Sequence, residues 1–139
     1  MHLEKKFDVE RPRAAAAEVV AREETLPALF PEAKTEIVER RDNRWTVRTH
    51  YRALGRDGVA TFHFDLLPDG GVCFEKVCDG RVWSELTGSI SLTERGVRTL
   101  VRLRLDGRTK SFVPEFTIRG PMQEQLDQMA SALRELLED

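Results

Sequence analysis

Hydrophobic and polar positions change rhythm along the chain, and each rhythm predicts an element. Residues 2 to 10 alternate, with Leu3, Phe7 and Val9 on one side and Glu4, Lys6 and Asp8 on the other, which predicts a strand. Pro12 interrupts it. The run R-A-A-A-A-E-V-V-A-R-E-E from Arg13 has high helix propensity, and T-L-P-A-L-F-P adds a further turn before Pro31 stops it. From Lys34 to Leu105 the period is two. Turn residues punctuate it as R-D-N-R at 41–44, G-R-D-G at 55–58, P-D-G-G at 68–71, C-D-G-R at 78–81 and T-E-R-G at 93–96, which predicts a six-stranded antiparallel meander. After a turn at Asp106 and Gly107, T-K-S-F-V-P-E-F-T-I-R reads as an irregular connection, and Gly120-Pro121 opens a helix with Pro at its first position. Met122, Leu126, Met129, Leu133 and Leu136 then form one apolar stripe at helical spacing. Counted from Pro121, that helix is about 28 Å long at ~1.5 Å per residue.

Such a helix needs a long apolar surface, and the curved meander is the surface the chain itself supplies. The predicted class is α+β: a strand, two short helices, six strands and a long helix, with the sheet wrapped round the last helix. Pairing the stripe with another molecule as a coiled coil would leave the sheet's apolar face uncovered.

The order of elements, together with D-V-E-R-P-R-A-A-A-A-E-V-V, L-T-G-S-I-S-L-T followed by G-V-R-T-L-V-R-L-R-L, and the C-terminal amphipathic helix, resembles the START-like or SRPBCC superfamily. Its members include polyketide cyclase-like, coenzyme-Q-binding-like and birch-pollen-allergen-like proteins. The resemblance covers essentially the whole chain. It implies a helix-grip fold, a seven-stranded antiparallel sheet closing on the C-terminal helix with a largely apolar cavity between them. It also implies binding of a lipid, quinone or polyketide-like compound, with cyclisation in a minority of members. Two positions depart from the pattern: Val19-Val20 stands where relatives carry an aromatic after the helix valine, and Gly88 is followed by Ser89 and Ile90 rather than by G-x-W.

At 139 residues the expectation is a single domain, 1–139, large enough to bury a core without a metal or disulfide staple. With 22 basic and 24 acidic residues the formal charge is -2, which removes the usual electrostatic argument for nucleic acid. No window approaches the ~18 apolar residues of a membrane span, and the opening M-H-L-E-K-K-F-D-V lacks a signal peptide's apolar run. A cytoplasmic protein, monomer or homodimer, is expected. Cys73 and Cys78 are five apart, so on a strand their thiols point to opposite faces and neither bridge nor share a metal.

Thr49–Asp65 holds the conspicuous polar residues. A two-residue turn at Arg56-Asp57 would set Tyr51 opposite Phe62, Thr49 opposite Phe64 and Val47 opposite Leu66 on the apolar face. His50 would then face His63, and Arg48 would face Asp65, on the solvent side. Two imidazoles need further ligands to hold zinc, and the hairpin offers only Asp65, so no metal site is expected.

The ligand-binding candidates on the concave face are Trp45, Thr49, Tyr51, Phe62, Phe64, Leu86 and Ile90, with Phe116, Met122 and Met129 from the loop and helix. Thr49 and Tyr51 bring polar groups to an oily surface and would orient a ligand's polar end. Glu75 depends on register: a two-residue P-D-G-G turn points Cys73, Glu75 and Val77 inward, whereas a three-residue loop turns Val72, Phe74 and Lys76 inward. The second buries more carbon and is preferred, with Lys76 reaching the pocket mouth. An inward Glu75 would be a candidate acid or base.

No Ser-His-Asp pattern, G-x-S-x-G, phosphate loop, G-x-G-x-x-G or H-E-x-x-H occurs, and no cofactor is implied. Carriage of a hydrophobic small molecule is the leading expectation. The alternative is a polyketide cyclase or dehydratase using Tyr51 as proton donor, with Glu75 as the weaker candidate. A third possibility is an interaction module for a protein partner, which an exposed apolar patch would indicate.

Overall fold

A computed structural model describes residues 1–31, 33–53, 56–78 and 81–138. The elements run β1 (His2–Val9), α1 (Arg13–Val20), α2 (Thr25–Ala28), β2 (Lys34–Arg41), β3 (Arg44–Ala53), β4 (Arg56–Leu66), β5 (Val72–Lys76), β6 (Trp83–Arg95), β7 (Arg98–Thr109) and α3 (Phe116–Glu138). All seven strands join one antiparallel sheet in the order β1-β7-β6-β5-β4-β3-β2. The first strand pairs with the last, so the meander curves round α3 as a helix grip.

Alternation decides which residues enter the core. Val9, Val47, Phe64, Val72, Ile90, Val101 and Leu103 come from alternate strand positions and are buried against Leu126, Met129, Leu133 and Leu137 of α3. The helix lies chiefly on β1 and touches β7, α1 and α2 more lightly. Phe30, from the turn after α2, stacks on Phe62 with centroids 5.6 Å apart, and Phe64 meets Phe74 at 5.2 Å. Thr25 donates its hydroxyl to the Val19 carbonyl at 2.5 Å, which ties α2 to α1.

The β3–β4 register differs from the one expected. Val47 lies opposite Phe62, Trp45 opposite Phe64 and Tyr51 opposite Gly58. The strands pair out to Ala53 and Arg56, so Arg56 and Asp57 belong to β4 and do not form the turn expected there. Leu54 and Gly55 themselves lie outside the described residues. Because the slip is an even number of residues, the faces are unchanged: apolar alternation fixes a face, and cannot separate registers that differ by an even step. Consequently His50 lies opposite Val59, His63 opposite Thr46, and Asp65 opposite Arg44 instead of Arg48.

Three other boundaries move. β6 continues to Arg95, and its turn is Gly96-Val97, with Gly96 at φ 64°. β7 runs through Asp106-Gly107 to Thr109, because Gly107 pairs within the sheet under the ring of Trp83. Finally α3 starts at Phe116, five residues before Pro121, since Pro114 and Glu115 supply the first carbonyls: Thr117 donates to Pro114 at 3.1 Å and Arg119 to Glu115 at 3.1 Å. Pro121 therefore sits inside the helix. It offers no N–H to the Thr117 carbonyl, on an exposed turn that water can reach. The R-D-N-R turn is as expected, with Asp42 at φ 49°. Residues 79 and 80 of C-D-G-R lie outside the described residues.

Candidate ligand site on the concave face

The registers place the inward residues on a grid. Trp45, Val47, Thr49 and Tyr51 line β3, Gly58, Ala60, Phe62 and Phe64 line β4, and Val72, Phe74 and Lys76 line β5. Leu67 donates to the Gly71 carbonyl at 2.8 Å, leaving the three-residue loop Pro68–Gly70, with Gly70 at φ 90°. The Val72/Phe74/Lys76 register is therefore the one adopted, and Glu75 lies on the convex face.

Glu75 bonds there to Arg44 at 2.6 Å, and Arg44 also holds Asp65 at 2.9 Å. The Glu75 hydrogen bond, ahead of Asp65 and against a smaller effect of burial, raises the Arg44 pKa above its ordinary value. All three groups are exposed, so the cluster is a solvated ion-pair network. Glu75 cannot serve as acid or base for a ligand on the other face. The histidines are also outward: His63 Nδ1 lies 3.0 Å from Thr46 Oγ1, and His50 lies 3.5 Å from Glu36. Among the described residues no group of three or more His, Cys, Asp or Glu is placed to hold a metal ion.

Of the concave candidates, Trp45, Thr49, Phe62, Phe64, Leu86, Ile90 and Met129 are each buried on the inner side. Thr49 already has a partner inside the sheet, since its hydroxyl lies 3.2 Å from that of Thr35. It is a strand-to-strand bond, so the expected role in orienting a ligand is not needed to satisfy it. Tyr51 is 40% exposed, Met122 is half-buried, and Phe116 is 81% exposed, as is Phe112 at 71%.

Those four share one end of the grip. The starts of β1, β2, β4 and β6 and the ends of β3, β5 and β7 gather there. α3 begins at the same end: Glu115 binds the Met1 amine at 3.2 Å, and Thr109 Oγ1 donates to the Val113 carbonyl at 2.8 Å. At the opposite end α1 closes over the sheet, with Ala17 against Gly70. Along β3 and α3 burial falls towards the first end, whereas Leu3, Leu105, Trp83 and Leu86 stay buried on β1, β7 and β6. Along β3 it goes from Val47 at 0% to Tyr51 at 40% exposure. Along α3, Leu126 to Leu137 supply every buried residue, while residues 116–125 supply none. Trp83 and Leu86, near that end of β6, are buried without joining the main core cluster. An open groove of about 640 Å³, lined by His50, Tyr51, Arg52, Asp57, Gly58, Val59 and Arg81, crosses the β3–β4 tip.

Sequence reasoning missed Trp83, Phe30 and Lys5. A bulge between Trp83 and Glu85 turns Trp83 onto the concave side, against the alternation read from Leu86. Phe30 belongs to a connection, where no periodicity applies. Lys5 is an inward position of an edge strand, and its ammonium reaches Asp127 of α3 at 3.0 Å. The registers also set a glycine opposite two of the inward aromatics, Gly58 for Tyr51 and Gly88 for Phe74.

No family model and no curated protein matches the sequence. Solved structures do match. A protein from Thermus thermophilus, TTHA0849, aligns with a TM-score of 0.78 at 17% identity, covering 99% of this chain and 97% of that one. The Zhui aromatase/cyclase from Streptomyces sp. R1128 gives 0.77 at 19%, covering 99% and 90%. A START superfamily protein from Mycobacterium smegmatis gives 0.75 at 20%, covering 98% and 96%. At these identities the likeness is one of fold, and the fold is that of the START/SRPBCC-like proteins. Among the described residues no helix is long and apolar enough to cross a membrane.

Proposed function

We propose that this helix-grip chain acts as one unit that binds a hydrophobic small molecule, of lipid, quinone or polyketide-like character, at the outer end of its concave face. The observation that carries the reading is the gradient of burial. The inner end is filled by Phe64, Phe74, Leu126 and Leu133, whereas the outer end presents Tyr51, Met122, Phe112 and Phe116 with apolar surface still exposed. Apolar surface left exposed on β3, α3 and the loop before it, at the open end of the grip, fits a ligand better than it fits water. Titration with the neutral fluorophore N-phenyl-1-naphthylamine tests the proposal. Saturable binding at one site, weakened several-fold by Tyr51→Ala or Met122→Ala, is expected. Absence of saturable binding, together with nothing extractable from the purified protein by organic solvent, would overturn it.

A cyclase or dehydratase is the second reading. Tyr51 supports it, because its phenol has no hydrogen-bond partner among the described residues and stands at the open end. Glu75 no longer contributes. Under this reading Tyr51→Phe abolishes turnover of a polyketide-like substrate while leaving its affinity intact. Equal loss of both would point to binding alone.

A further inference from the structure

One inward cation of the concave face meets no acid among the described residues. Lys76 lies directly across from Phe62 and two residues after the buried Phe74, on the inward side of β5. The other described inward cations are neutralised: Lys5 by Asp127 at 3.0 Å, and Arg40 by Glu23 at 3.5 Å, with the Arg40 guanidinium 4.8 Å over the Trp45 ring. The ammonium of Lys76 has no ion pair or hydrogen bond among the described residues, and the residue is half-buried. A cation held on an apolar wall is costly unless water or an anion meets it. Lys76 is the last residue of β5, on the side of that strand that leads to the open end, so its stem can lie along the wall and its head can reach towards the mouth.

We propose that Lys76 selects the ligand's head group, and that the molecule bound by this face is an anionic amphiphile: an acid head on the Lys76 ammonium and an apolar tail between β4 and the first turns of α3. Placing the anion beside Phe62 excludes much of the water that would otherwise weaken the pair, and the tail gains the apolar contacts. A neutral molecule of the same tail gains only the second part. This inference deepens the reading of the outer concave face as a binding site and rests on it.

Dodecanoate and dodecanol, which share a tail and differ in charge, test it by isothermal titration at pH 7.5 below their aggregation concentrations. The wild-type chain should bind dodecanoate about tenfold more tightly than dodecanol. Lys76→Met should bring dodecanoate down to the dodecanol level and leave dodecanol unchanged or tighter. Lys76→Arg should keep the preference, and Lys6→Met, on the convex face, should change neither affinity; unfolding curves confirm that each variant is folded. Equal affinities in the wild type, or a Lys76→Met variant that weakens both ligands alike, would overturn the head-group assignment while leaving an apolar site in place. Failure of both ligands to bind would overturn the apolar-site reading and the assignment with it.

Discussion

Three glycines on the concave face each lie beneath an aromatic ring: Gly58 under Tyr51, Gly88 under Phe74 and Gly107 under Trp83. A methyl group at any of the three would overlap the ring above it, so the pairs are matched in size as well as in register. Gly88 is the most constrained, because Phe74 is buried and the Arg104 carbonyl also faces the added carbon. Gly88→Ala is therefore expected to destabilise the chain by about 1–3 kcal/mol, as overpacking in a filled core does, measurable as a lower urea midpoint with an unchanged slope. An unaltered midpoint would mean that Phe74 has room to move. The same residue scale explains why the conspicuous polar side chains of the β3–β4 hairpin say little about the ligand. Their alternation already assigns His50, His63 and Asp65 to the solvent side, and the structure gives each a surface partner.

Between elements, α3 is tied to β1 by burial, by the ion pair of Lys5 with Asp127, and by the Arg134 guanidinium 5.8 Å over the Phe7 ring. The hydrogen bond from Lys5, followed by that from Gln123, lowers the Asp127 pKa below its ordinary value. A depressed carboxylate pKa stabilises the fold fully above the unfolded pKa, and that contribution is lost as the pH falls through the lower folded value. Asp127→Asn should therefore flatten the pH dependence of stability on the acid side and leave it unchanged near neutrality, as read from thermal unfolding between pH 2 and 7, about the range over which an aspartate titrates. An identical acid slope in the variant would show that the contact is fully screened. The long helix also shows what local pattern reading overlooks. Gly120-Pro121 looks like a helix start, yet full burial begins only at Leu126, and the backbone turns helical earlier because Pro114 and Glu115 can cap it.

Across the whole molecule, the grip has a packed end and an open end, and the two should respond differently to the same kind of truncation. Met129 is 2% exposed within the packed half of α3, so Met129→Ala should cost about 2–5 kcal/mol of stability. Met122, half-buried in the open half, should cost less on truncation to Ala and should instead lower affinity for the apolar probe. Equal stability losses from both, with no change in binding, would show that the outer end is ordinary core. The fold class and the face to which most strand residues belong were legible in the chain alone, because a period of two and a period of 3.6 are local consequences of backbone geometry. So was the inward turn of Phe74 and Lys76, which burial of carbon favoured. Tertiary structure alone decided the hairpin register, since slips of two or four residues bury the same set of side chains. It alone placed Trp83, through a bulge that alternation cannot register. It also decided which inward charges are neutralised, because Asp127 and Glu23 reach Lys5 and Arg40 from distant elements and none of the described acids reaches Lys76.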